Sequence, residues 1–204
     1  EVPERAEYLR VIIGELQRVV NHLLAVGFQL NELGAMFTPM IYAFAEREHV
    51  LDLFETVSGA RIMHNYYRIG GVFGDVSDEW LTRCAMVVDR LDRKIDEFEQ
   101  LLTDNEILIA RTRGVGAMTW QEMVNYGISG PMLRSAGLAY DIRKVEPYSI
   151  YDSFDFDVPT QTTGDVYARY LQRIAEARES VKILRQALAR IPQGDVMALS
   201  LIHI

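Results

Sequence analysis

Glu32 is the one charged side chain between Arg18 and Glu46, and it stands between Leu30-Asn31 and Leu33-Gly34-Ala35, so the sequence sets an ionisable group in an apolar surround. Burial there would disfavour its charged form and raise its pKa, which is how a carboxyl group comes to handle protons near neutral pH. Phe28 lies four residues earlier and Ala25 three before that, spacings that place all three on one face of a helix. An apolar face ending in a carboxylic acid suits a hydrophobic ligand with a polar head. The competing reading is a helix-end carboxylate paired with an arginine.

Other common chemistries lack their parts. There is no GxGxxG opening a helix after a strand, no GxxxxGK[ST], no HExxH, no GxSxG and no CxxC. Arg113-Gly114-Val115-Gly116 has glycines but no lysine and no strand-helix context for a phosphate. His22, His49, His64 and His203 are not spaced as a metal set, and no metal site is expected; His22, beside Leu23 and Leu24, reads as a core or capping histidine. The single cysteine, Cys84, can form neither an internal disulfide nor a thiolate cluster alone, which fits a reducing compartment.

Composition narrows the classes further. The 204 residues are 49% hydrophobic and 25% charged, the balance of a folded globular chain. A net charge of -8 has the wrong sign for coating nucleic acid, so none is expected as a partner. The most apolar stretch, Val19 to Ala45, is interrupted by Asn21, His22, Gln29, Asn31, Glu32 and Pro39, so no transmembrane segment is expected. The N-terminus has neither the basic nor the apolar region of a signal peptide.

The elements that must position Glu32 are helical. From Glu4 to about Asn31, Leu9, Ile12, Leu16, Val19, Leu23, Val26 and Leu30 form one stripe, widened by Val11, Val20, Leu24 and Phe28, so this helix should run through the middle of its domain. Thr38-Pro39 reads as cap and first-turn proline of a second, shorter and more amphipathic helix that stops before Ser58-Gly59. Tyr66 to Gly74 breaks helical spacing with a glycine pair and should be extended or a turn. A third helix starts near Ser77 and runs to Leu102, with Asp89 and Arg93 offset for an ion pair on its solvated face. Thr119 to Glu122 has capping-box spacing and opens a short helix ending at Gly127. Tyr140 to Gly164 reads as a long irregular loop, functional or interfacial. The last helix, from about Asp165 to Arg190, repeats apolar residues from Tyr167 to Ile191 in the pattern of a bundle seam. The fold class is therefore mainly α, a helical bundle, with residues 1–198 as a single helical domain.

Four phrases then stand out together: VPERAEYLRVIIGELQRVVNHLL from Val2, ELGAMFTPMIYAFAERE from Glu32, SGARIMHNYYRIGGV from Ser58 and YDIRKVEPYSIYDSFDFDVP from Tyr140. In that order they closely resemble the D subunit of NADH-quinone oxidoreductase, respiratory complex I, called the 49 kDa subunit in mitochondria. The likeness continues through GDVYARYLQRIAEARESVKILRQAL, Gly164 to Leu188. It implies the central part of a larger subunit related in fold to the large subunit of nickel-iron hydrogenases. The parts beyond this chain would carry β-structure, complete the fold and supply a histidine and a tyrosine at the quinone head.

The resemblance also implies site residues and partners. The family usually has an aspartate where Glu32 stands, in phrases such as LDLGA or DIGAMTP, and that acid partners the quinone-site histidine. Phe28 and Ala25 fall on positions that line the quinone tunnel, so Ala25, Phe28 and Glu32 become the quinone-binding set, with Glu32 catalytic. Some members place a histidine two residues after the arginine matching Arg61, close to the terminal iron-sulfur cluster. That position here is Met63, and His64 is one residue further. Arg61, His64 and Arg68 are thereby implied at the cluster-proximal interface, with packing of the arginines against acidic neighbours an equal reading. Quinone would be the substrate, with NAD(H) and the iron-sulfur clusters held by other subunits and nothing bound covalently here. The B and C subunits and the membrane arm would be partners. The chain would then lie peripherally on the cytoplasmic face of a bacterial inner membrane, or on the matrix side in mitochondria.

Two rivals share the helical pattern: the large subunit of a complex-I-related membrane-bound nickel-iron hydrogenase, and a non-catalytic scaffold subunit. The phrases DFDVP and MHNYYRIGGV favour the quinone enzyme. The last six residues, Leu199 to Ile204, look like translated sequencing adapter and are read as a non-native tail, which discounts His203.

Overall fold

The structure, a computed structural model, describes residues 1–35 and 37–198, Ala35 in its backbone only. The tail read as non-native, 199–204, lies outside the described residues, His203 with it. Helix α1 spans Glu4–Leu30 and ends in a wide turn, Asn31–Ala35. Helix α2 (Thr38–Ser58) folds back along it, and a two-residue hairpin, β1 (Tyr67–Arg68) and β2 (Gly71–Val72), follows. Then come α3 (Asp78–Leu102), α4 (Glu106–Thr112), α5 (Trp120–Asn125), α6 (Gly130–Ser135) and α7 (Ile142–Val145). A 3-10 turn, Tyr151–Ser153, leads to α8 (Val166–Arg190).

The fold is mainly α, as the periodicity predicts. Helix α1 is the axis: Leu9, Ile12, Leu16, Val19, Leu23, Val26 and Leu30 are all buried, with α2 and α8 packed along it. Its stretch Glu4–Gly34 is long and apolar enough to cross a membrane by length and composition, yet most of it is buried inside the chain, as the central helix of a folded core would be. Gly27 lets α2 approach: a Cβ there would lie 3.1 Å from that of Ala43 and 3.2 Å from the Met40 Cα.

Helix ends follow local chemistry. Ser77 caps α3 by accepting from the Trp80 amide, Thr119 and Glu122 form the capping box of α5, and Asp165 caps α8 through the Ala168 amide. Thr38, expected as a cap, is instead the first residue of α2 behind Phe37, and its side chain caps nothing.

Two expectations about surfaces change. Helix α2 is not more amphipathic than α1: it exposes Ile41 and Tyr42 and buries Glu46, which the Arg90 guanidinium grips with two bonds of 2.6 and 2.8 Å. Asp89 pairs with Arg185 of α8 at 3.0 Å, where Arg93 was expected; a partner on a packed helix competes with one on the same helix. Arg178 of α8 likewise reaches Asp96 and Glu99 of α3. The segment 66–74, expected to be extended or a turn, is the hairpin, and Met197 bridges to Gly71 at its edge. A Cβ on Gly71 would run into the Val196 carbonyl oxygen at 2.1 Å, so glycine is required. The long stretch 140–164 is irregular apart from α7 and the 3-10 turn.

Candidate functional site

The apolar stripe that buries α1 leaves its last turns only partly covered. Ala25 is half-buried, and Phe28 and Glu32 are exposed, Glu32 on the wide turn that follows the helix. The turn after α1 is held open by Gly34, whose φ of +92° suits glycine, and Arg111 of α4 clamps it by donating to the Leu33 carbonyl. Phe28 meets Phe44 of α2 edge to face at 5.9 Å, and the Arg47 guanidinium covers the Phe44 ring at 5.5 Å. Exposed Phe37, Ile41 and Tyr42 extend this apolar surface along the start of α2.

The expectation that Glu32 is buried fails within this chain. Leu30 turns into the core, whereas Glu32 is exposed, because residues two positions apart face different sides of a helical turn. Nor does an arginine pair with Glu32 among the described residues, so the competing helix-end ion pair is not formed either. The carboxylate is left as an unpartnered acid on an apolar surface. A cavity of about 260 Å³ lies nearby between Pro39, Tyr42, Phe98, Leu101 and Leu102, but Ala25, Phe28 and Glu32 do not line it.

Arg61, His64 and Arg68 lie beyond the other end of α2, so the structure does not gather them with Glu32. Arg61 binds Asp52 and Glu55 at 2.7 Å and Glu48 at 2.5 Å, and these carboxylates raise its pKa, the acidic Asp52 and Glu55 contacts foremost. Its packing against acidic neighbours is therefore real. His64 stacks against Phe54 at 4.5 Å, and burial pushes its pKa down, favouring the neutral ring. Arg68 lies over Phe73 at 5.2 Å. Around them Met63, Ile69 and Phe73 are exposed, an apolar rim left uncovered by the described residues. Cys84 is buried and its thiol is pushed up to about 12 by that burial, which leaves it inert. Among the described residues no group of three or more His, Cys, Asp or Glu could hold a metal.

Sequence reasoning missed a buried polar seam between α1 and α8. Glu15, fully buried, accepts from Arg143 at 2.9 Å and from the Tyr151 hydroxyl at 2.7 Å, while Asp141 takes Arg143 Nη2 at 2.7 Å. Further along, Glu176 accepts from Arg134 and Gln172, both at 2.7 Å, and His22 Nε2 lies 3.3 Å from its other oxygen. His22 is thus a core residue, as its apolar neighbours indicate. Burial works to raise the Glu176 pKa, but His22 and Arg134 overcome it and hold the group at about 2. The signal available in sequence was a charge on the buried stripe, Glu15 between Ile12 and Leu16.

Residues 32–202 match the family model for the 49 kDa subunit of respiratory-chain NADH dehydrogenase. The chain belongs to that family. The D subunit of NADH-quinone oxidoreductase from Dehalococcoides mccartyi is 50% identical over 196 residues, 96% of this chain and 53% of the relative. The second of the numbered D subunits of the same enzyme from Herpetosiphon aurantiacus is 51% identical over 194 residues, 95% of this chain and 52% of its own length. The H subunit of NAD(P)H-quinone oxidoreductase from Thermosynechococcus vestitus is 52% identical over 194 residues, 95% and 49% of the two chains. The chain spans about half the length of these relatives.

Proposed function

We propose that this chain is part of the quinone-site subunit of a proton-translocating NADH-quinone oxidoreductase, peripheral on the cytoplasmic face of the membrane and inactive alone. The observation that carries the reading is the end of α1 and the turn after it, where Ala25, Phe28 and Glu32 present an apolar surface ending in a carboxylate with no arginine partner among the described residues. Reduction of a quinone takes two electrons and two protons at its two carbonyl oxygens. The electrons would come from NADH through iron-sulfur clusters on other subunits, because the one thiol here is buried and protonated. Phe28 and Ala25 would hold the apolar part of the quinone, and Glu32 would relay protons toward its head. The exposed rim of Met63, Ile69 and Phe73 would seat the B subunit, with Arg61, His64 and Arg68 at that boundary; the C subunit and the membrane arm complete the surroundings.

The test is Glu32→Gln in the complete complex. Quinone reduction should fall by about a hundredfold, in the range of a lost general acid, while NADH oxidation by an artificial acceptor stays intact. Equal loss of both activities would assign Glu32 to folding and end this reading.

A further inference from the structure

A second cavity, about 490 Å³, opens between α1, the hairpin and the 148–151 segment. Its size lies within the range of small-molecule sites. Gly14 forms part of its wall: a Cβ there would stand 3.4 Å from the Tyr67 hydroxyl and 4.0 Å from that of Tyr151. Tyr67, Tyr148 and Tyr151 present rings to it, the last two 4.9 Å apart edge to face.

The charges around this cavity are spent, with one exception. Glu7 accepts from Arg10 and from the Ser149 hydroxyl, and Arg10 otherwise donates to the carbonyls of Arg68 and Gly71. Glu15, beneath, accepts from Arg143 and Tyr151. Arg18 gives only its Nε to Glu15, at 3.3 Å, and its two terminal nitrogens meet no acceptor among the described residues. Ser149, on the rim, has a φ of +53°, the one positive value outside glycine among the described residues, a strained conformation of the sort found at ligand clamps.

We propose that this cavity binds a planar carboxylate, taken by the terminal fork of Arg18, with its flat apolar body against Tyr67, Tyr148 and Tyr151. A cation is disfavoured because both nearby glutamates are already engaged. A guanidinium fork matches a carboxylate with two parallel bonds, and tyrosine rings suit a flat apolar group better than a bare phosphate. Fourteen positions along α1 and the turn after it, about 20 Å at helical rise, separate Arg18 from Glu32, so this site is distinct from the proposed quinone face.

The test is calorimetric titration of the complete subunit in its native assembly with 2-naphthoate and the neutral 2-naphthamide. Naphthoate should bind once per chain, at least tenfold tighter than the amide. Arg18→Gln should weaken naphthoate at least tenfold and leave the amide unchanged; Arg18→Lys, which keeps the charge beside Glu15, should also lose most of the preference. Gly14→Leu should abolish both by filling the wall, whereas Glu32→Gln should change neither. Absence of saturable naphthoate binding to the unaltered protein, or unchanged naphthoate affinity in both Arg18 variants, would overturn the proposal.

Discussion

Glu15 and Glu32 sit on the same helical run, and the fold treats them oppositely. Glu15 lies in the α1–α8 seam with a tyrosine and two arginines gathered around it, all supplied by this chain. Glu32 lies in a solvent-facing turn with apolar neighbours and no arginine paired to it among the described residues. A buried charge is tolerated only where partners replace the lost water, and this chain supplies them to Glu15 from Arg18, Arg143 and Tyr151, so the seam serves the fold. An exposed acid on an apolar face holds nothing together here, and that leaves it available to a ligand or a neighbouring subunit.

The seam should break most severely when one partner is removed. Arg143→Ala leaves both Glu15 and Asp141 buried without their main cation, so we expect a loss of about 3–5 kcal/mol, read as a lower urea midpoint of the complete subunit or as failed assembly. A midpoint shift below about 1 kcal/mol would mean that water, not Arg143, solvates Glu15, and the contrast with Glu32 would collapse.

Acid should undo the second half of the seam. Glu176 has its pKa depressed from 4.5 to about 2, so its protonated form is disfavoured in the folded state. Its contribution, about 3 kcal/mol, is therefore complete above about pH 4.5 and fades as pH falls toward 2. Glu176→Gln should flatten the stability profile across that window. A profile unchanged by the substitution would locate the acid sensitivity elsewhere.

What the sequence reveals divides along the same line. The long helices are legible because their apolar residues recur at three and four positions over many turns, and caps such as Ser77, Thr119 and Asp165 announce their starts. Helices α4, α6 and α7 run four to seven residues, too short for a period to register, and the expectation passes over them. The Glu15–Arg143 pair joins residues 128 positions apart, for which no local pattern exists. Helical spacing groups Ala25, Phe28 and Glu32, yet α1 ends at Leu30 and Glu32 stands exposed on the wide turn after it, because apolar neighbours along a chain are not neighbours in space.

The smallest effect on stability should come from Glu32→Gln, and it sharpens the comparison best because it alters charge at nearly constant size. With Glu32 exposed and no ion pair formed among the described residues, stability should change by less than about 0.5 kcal/mol. The same substitution at Glu15 removes the charge facing Arg143 and Arg18, so it should cost more than at Glu32 in the same assay. Activity should order them the other way, with quinone reduction lost at Glu32 while the protein stays folded. If Glu32→Gln instead destabilises the complete subunit as much as Glu15→Gln does, the turn is covered by its own subunit and belongs with the seam. An acid that can be neutralised without cost to the fold is one whose charge is kept for something other than the fold.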